Sequence, residues 1–153
     1  MGYNLTIGNA VLAEPDPDTN EYFVEVEGFE HPEAPAFGEP TDHTSERWPS
    51  YSGWHDFCDE VGLRELFYDE EKGLLAHHPG TVALNRDHLV VIEAALKRRR
   101  ATNGRKEPGF PDETPAGELI ENGKDPQLAR LVWLEYWVRW ALENCERPAL
   151  HNS

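Results

Sequence analysis

Polar and apolar positions alternate at the start of the chain. Tyr3, Leu5 and Ile7 are separated by Asn4 and Thr6, the period of a half-buried strand. Gly8-Asn9 reads as a turn, and Ala10 to Ala13 as a short apolar run. Glu14-Pro15-Asp16-Pro17-Asp18 is an acidic loop, because proline lacks the N–H that a central strand needs. Tyr22 to Val26 predicts a second strand, with Phe23 across the pleat from Val24 and Val26. A hairpin or three-stranded antiparallel sheet is the simplest arrangement of these pieces. Residues 31–50 hold Pro32, Pro35, Gly38, Pro40 and Pro49 with little periodicity, which predicts a long loop.

Helical spacing follows. Ser52 can cap a helix whose apolar side is Trp54, Phe57, Cys58 and Val61, with Gly62 ending it. After the Pro79-Gly80 turn, Thr81 to Leu84 is short and extended. Asn85 or Asp87 can cap a second helix that carries Leu89, Ile92 and Leu96 on one face. Its end, Lys97-Arg98-Arg99-Arg100, sets cations at the negative pole of the helix dipole. Residues 102–124 are rich in glycine, proline and charge, and read as a linker. Asp125-Pro126 starts a third helix, a cap followed by proline at the first helical position, and the helix runs to about Asn144 or Cys145.

That last helix carries two apolar stripes. Leu131, Leu134, Val138, Leu142 and Cys145 form an aliphatic one, and Trp133, Tyr136, Trp137 and Trp140 an aromatic one. Glu135, Arg139 and Glu143 share the narrow remaining face, where Arg139 can bridge two carboxylates. Such a helix belongs at the centre, with the sheet on one side and helices on the other. Its aromatic stripe is either plain core or the wall of a pocket, and buried indoles call for nearby acceptors. The expected architecture is α+β. A small antiparallel N-terminal sheet packs on about three helices around a central C-terminal helix. Residues 1–153 form one domain with long loops at about 31–50 and 102–124.

Composition supports a folded chain: 153 residues, 39% hydrophobic, with five Trp, five Tyr and six Phe. The net charge of −15 is unevenly placed. Residues 1–80 hold 18 acidic and 3 basic side chains, whereas residues 81–153 hold 11 of each. This disfavours direct binding of nucleic acid or anionic membrane, and an electrostatic partner of the first half should be basic. The N-terminus has no signal-peptide pattern. Gly2 and Thr6 match a loose myristoylation pattern, but no polybasic segment supplies a second membrane signal. The segment Leu131–Leu142 is broken by Glu135 and Arg139 and is too short to span a bilayer. Two distant cysteines, Cys58 and Cys145, form no disulfide framework, so a cytoplasmic location with reduced thiols is expected.

Candidate chemistry is sparse. His77-His78-Pro79-Gly80 forms a turn in which one imidazole can act as a base or phosphate ligand. His55 and Cys58 stand at i, i+3, but a closed zinc site needs four ligands and no second pair with clear spacing exists. Lys97–Arg100 with Arg105 and Lys106 is a solvated helix end or a surface for phosphate or an acidic partner. Glu143, Asn144, Cys145, Glu146, Arg147 and Asn152 crowd the end of the last helix and can floor a pocket beside the aromatic stripe. Sequence motifs for phosphate-loop, serine-hydrolase and zinc-protease chemistry are missing, so no catalytic residue, cofactor or metal is assigned.

Several stretches carry a resemblance: Gly2-Tyr3-Asn4-Leu5-Thr6-Ile7-Gly8, Tyr51-Ser52-Gly53-Trp54-His55-Asp56-Phe57-Cys58, Gly73-Leu74-Leu75-Ala76-His77-His78-Pro79-Gly80, Leu128 to Trp137, and Ala149-Leu150-His151-Asn152-Ser153. They resemble a group of small bacteriophage and prophage proteins. The resemblance implies a phage context and an intracellular accessory role in the host cytoplasm, and it carries over no catalytic or binding residue.

Three function classes follow. The first is a non-enzymatic binder of a small, nucleotide-like ligand, such as a host signalling molecule sequestered to counter host defence. Its binding set is Trp54, His77, His78, Arg130, Trp133, Trp137, Arg139, Trp140 and Asn144, which supply aromatic stacking and cationic groups. The second is an acidic inhibitor that mimics nucleic acid on a basic host protein. The third is a hydrolase using His77 or His78.

Overall fold

The computed structural model describes residues 3–12, 24–29, 32, 34, 41–42, 51–109 and 116–153. The expected loops at 14–18 and across most of 31–50 lie outside these residues, as do Tyr22 and Phe23.

The fold is α+β, as the patterning implies. The strands are β1 (Leu5–Leu12), β2 (Val24–Glu27), β3 (Thr41–Asp42), β4 (Gly80–Ala83) and β5 (Pro148–Asn152). They form an antiparallel sheet in the order β2-β1-β5-β4, and β3 pairs with Leu5 and Thr6 of β1. The alternation of Leu5 and Ile7 with Thr6 turns both aliphatic residues fully inward.

Two expectations about the sheet are corrected. Gly8-Asn9 is no turn; β1 continues through both residues to Leu12. Gly8 is needed there for close approach, since a Cβ would overlap the Glu27 carbonyl. The sheet is also not N-terminal alone. The chain's end returns as β5 between β1 and β4, pairing Ile7 with Leu150 and Val82 with Leu150 from either side.

The helices among the described residues are α1 (Tyr51–Val61), α2 (Arg64–Tyr68), α3 (Arg86–Thr102), α4 (Ala116–Glu121) and α5 (Pro126–Asn144). Ser52 does not cap α1, because the helix already includes Tyr51. Gly62 ends it with a positive φ of 78°. Asn85 caps α3 through a reciprocal box: its side chain accepts from the His88 amide, and the His88 ring accepts from the Asn85 amide. Residues 102–124 are not linker throughout, since they contain α4, and Pro108 bridges to Asp125. Asp125 caps α5 by accepting from the amides of Gln127 and Leu128, ahead of Pro126.

α5 is the central element. It packs on β1 and β5 on one side and on α3 on the other. Its aliphatic stripe (Leu131, Leu134, Val138) has no exposed surface, and neither do Trp133 and Trp137. One core cluster joins these to Leu5, Ile7, Trp54, Phe57, Ile92 and Leu150. Among the described residues, no helix is long and apolar enough to cross a membrane.

Candidate functional site

The residues expected to share one pocket do not meet. Trp54 of α1 and Trp133 and Trp137 of the α5 stripe are fully buried and belong to the core, whereas Tyr136 and Trp140 of the same stripe are partly buried. The expected acceptors fail for two of these indoles: among the described residues, the Nε1–H groups of Trp54 and Trp137 have no hydrogen-bond partner. Trp140 is half-buried, with its ring 4.9 Å from that of Phe29. Arg139 donates to Glu135 at 2.8 Å and lies over the Tyr136 ring, and hydrogen bonding to Glu135 raises its pKa. The amide of Asn144 donates to the Trp140 carbonyl within the last turn of α5. Arg130 sits near the opposite end of that helix, about 21 Å from Asn144 at the α-helical rise.

Two separate constellations take the place of the single pocket. The first is a cleft of about 480 Å³ between α1, the C-terminal end of α3, α4 and the start of α5. Asp125 and Arg130 form its floor, only 2% and 1% exposed. The Arg99 guanidinium donates to the Asp125 carboxylate from Nε at 2.7 Å and Nη2 at 3.0 Å, and to Glu60 from Nη1 at 2.9 Å. Gln127 donates to Glu60 at 2.9 Å and accepts from Arg130 at 3.1 Å, and Arg130 also donates to the Gly53 carbonyl. The Arg130 guanidinium lies 5.2 Å from the centre of the Phe57 ring. A continuous chain of hydrogen bonds therefore runs from Asn103 through Asp125, Arg99, Glu60 and Gln127 to Arg130.

The electrostatics follow from that chain. Burial alone would raise the Asp125 pKa. The bonds from Arg99, the Leu128 amide and Asn103, with the Arg99 charge, outweigh burial and hold the carboxyl below its ordinary value. Hydrogen bonding to Asp125 in turn raises Arg99. Around the floor stand Asp56, Thr102, Lys106, Ile120 and Lys124. Lys124 donates to Glu107 at 2.9 Å, whereas Lys106 makes no ion pair among the described residues. The lining holds four cations (Arg99, Lys106, Lys124, Arg130) against three carboxylates (Asp56, Glu60, Asp125). With Glu107 on Lys124 the charges balance, so the cleft lacks the negative excess of a molecule that carries −15 overall. Sequence reasoning found the basic run and Arg130 but missed Asp125 as more than a cap, along with Glu60, Asn103 and Gln127.

The second constellation lies on the other side of α1. His78 is exposed and His77 projects from the same turn. Tyr51 Oη lies 3.1 Å from His78 Nε2, and His78 Nδ1 lies 2.6 Å from Asn152 Oδ1. Asn152 has no exposed surface, and its amide donates to the carbonyls of His77 at 3.0 Å and Gly80 at 3.3 Å. The Tyr3 ring stands edge-on to both Tyr51 and His78 at 4.9 Å. Asn152 was expected at the end of the aromatic stripe; β5 instead carries it to the turn before β4, opposite Gly80.

The thiols take part in neither group. Burial pushes both Cys58 and Cys145 up in pKa, which makes them poor nucleophiles. Among the described residues no group of three or more His, Cys, Asp or Glu could hold a metal ion, and His55 pairs instead with Asp59 at 3.3 Å.

No protein-family model, curated protein or solved structure matches this chain.

Proposed function

We propose that the cleft between α1, α3, α4 and α5 is a non-catalytic binding site for a small phosphate-bearing molecule, up to about the size of a mononucleotide. The observation that carries this reading is the floor, where a buried, fully hydrogen-bonded Asp125 and a buried Arg130 meet a space of about 480 Å³. That volume falls within the usual range of about 300–1,000 Å³ for small-molecule sites. Rigid ions on the floor orient a ligand without reorganising, and Lys106 and Lys124 at the mouth supply charge to a phosphate. The surrounding −15 repels long polyanions but leaves a small anion room in a cleft whose charges balance and where Lys106 makes no ion pair among the described residues. Recognition here is polar: among the described residues no indole lines the cleft, and Ile120 is an exposed apolar side chain on its lining.

A thermal-shift panel of inorganic phosphate, mononucleotides and sugar phosphates tests this. A ligand at 100 times its Kd stabilises by about 2.7 kcal/mol, a shift of several degrees for a chain of this size. Lys106→Glu should abolish the shift while leaving the unliganded Tm unchanged. Indifference to the whole panel, or a shift that survives Lys106→Glu, removes the reading. In a phage setting, such a cleft suits sequestration of a host small molecule in the host cytoplasm.

A second reading is favoured by the charge asymmetry. Residues 1–80 carry the entire −15, and 11 of their 18 acidic residues precede Tyr51. That half suits the basic groove of a host protein. A partner captured from host lysate and released by salt supports this reading, and no capture at low salt argues against it.

A further inference from the structure

We infer that Tyr51 is an activated nucleophile for acyl transfer, with His78 as its base and Asn152 as the positioning residue. The inference concerns a different site from the cleft. At about 100° per residue, Gly53, Asp56 and Glu60 face the cleft from one side of α1, and Tyr51 and His55 lie on the opposite side.

The hydrogen-bond pattern fixes the tautomer. Asn152 turns one amide atom toward two carbonyl oxygens, those of His77 and Gly80, which can only accept. That atom is therefore Nδ2, and Oδ1 faces His78. An oxygen acceptor 2.6 Å from Nδ1 requires the imidazole proton on Nδ1. Nε2 is then left with its lone pair, 3.1 Å from the Tyr51 hydroxyl, which donates to it. A hydroxyl, a base within hydrogen-bond reach and a third group orienting that base are the parts of an activated nucleophile.

The placement suits reaction rather than storage. Asn152 is fully buried and held by backbone contacts, so the ring cannot swing freely. Tyr3, 8% exposed, braces both rings edge-on. Tyr51 is 39% exposed, and His78 is also open to solvent. A purely structural staple of the 77–80 turn needs only Asn152 and its two carbonyls; it gives no role to the ordered Nε2–Tyr51 contact at the surface. The segments 3–8, 51–58, 73–80 and 149–153 converge here from distant parts of the chain.

The step balances without a further reagent beyond an activated acyl ester. Tyr51 Oη attacks the ester carbonyl carbon while its proton passes to His78 Nε2. The tetrahedral adduct collapses, the ester C–O bond breaks, and the alcohol part leaves and takes up the proton from His78. O-acyl-Tyr51 remains and the imidazole is neutral again.

p-Nitrophenyl acetate is the probe. The full chain should release nitrophenolate in a burst stoichiometric with protein and gain one acetyl group, mapped to Tyr51, with N-acetyltyrosinamide in the same tube as reference. His78→Gln should slow Tyr51 acylation about 100-fold, the lower part of the range for a positioned base. Asn152→Ala should slow it similarly, because Nδ1–H loses its acceptor and the 77–80 turn loses the amide that holds its two carbonyls. Tm measurements on every variant separate lost chemistry from lost fold. The inference is overturned if Tyr51 reacts no faster than the reference compound, or if His78→Gln leaves its rate unchanged. A burst that survives in Tyr51→Phe also overturns it, because His78 would then be the nucleophile. Lys106→Glu should leave acylation untouched, so failure of the cleft reading and failure of this one are distinguishable.

Discussion

Arg99 grips Asp125 with two nitrogens, at 2.7 and 3.0 Å, and thereby ties the last turn of α3 to the cap of α5. One carboxylate serves two structures, since Oδ1, which accepts Nη2 of Arg99, also accepts the Gln127 and Leu128 amides that open the central helix. Asp125→Ala removes a cap worth about 1 kcal/mol and leaves Arg99 without its buried partner. Arg99 is 22% exposed and keeps Glu60, so the pair is discounted from the fully buried range. The expected total loss is about 2–4 kcal/mol by urea denaturation, with Asp125→Asn losing less because its side chain still caps. Equal losses for the two variants would show that capping contributes nothing.

Protonation links that pair to pH. The Asp125 pKa is depressed in the fold, so its contribution is present above the ordinary carboxylate range and is lost as pH falls toward the folded value. His88 and His151 are depressed below 6.5 by burial, and the unfolded chain therefore binds their protons first. Stability should begin to fall as pH drops below about 6.5 and fall further through the carboxylate range. At the other end, Cys58 and Cys145 are raised by burial above 9.0, so stability should also decline as pH rises through that value. Chemical denaturation from acid to alkaline pH should trace a dome. Replacing His88 and His151 with Gln should remove the shoulder nearest neutrality, and a shoulder that persists would assign it elsewhere.

Trp137 tests the central helix. It is fully buried between Tyr136 and Trp140, with an indole N–H that finds no acceptor among the described residues. Trp137→Ala should cost about 3–5 kcal/mol. Trp137→Phe removes the unsatisfied donor along with part of the ring volume, so its cost should be under about 2 kcal/mol. A cost below about 1 kcal/mol for the alanine variant would mean the ring is not core.

These residues also show where the sequence was sufficient. The caps at Asn85 and Asp125, the Gly62 stop and the inward pattern of Leu5 and Ile7 are local effects, readable from a few neighbouring residues. β5 was not readable. Pro148 to Asn152 is five residues long and extended mainly because β1 and β4 flank it. The sites failed in the same way. His78 and Arg130 stood out as residue types, but their partners come from far along the chain. Asn152 reaches His78 from 74 residues away, and Asp125 reaches Arg99 from 26. Aromatic spacing on α5 looked alike for core and pocket, and only the sheet and α3 on either side decide that Trp133 and Trp137 are sealed.

Gly8 gives the sharpest test of the sheet, because the sequence there favours a turn and the fold requires a strand. Gly8 pairs with Ala149 on one side, and on the other its missing Cβ leaves room for the Glu27 carbonyl beyond the Asn9–Glu27 pair. A methyl group cannot share that space with a backbone oxygen, so Gly8→Ala must push β2 off β1 at that point or bend β1 itself. Overpacking of this kind costs about 1–3 kcal/mol. The damage should stay local: amide exchange should quicken at Val24–Glu27, and protection at Ile7 and Leu150, on the β5 side, should persist. Uniform loss of protection across both edges would mean that β1, β2 and β5 open as one unit. An unchanged stability would mean that no strand of this chain approaches Gly8 so closely.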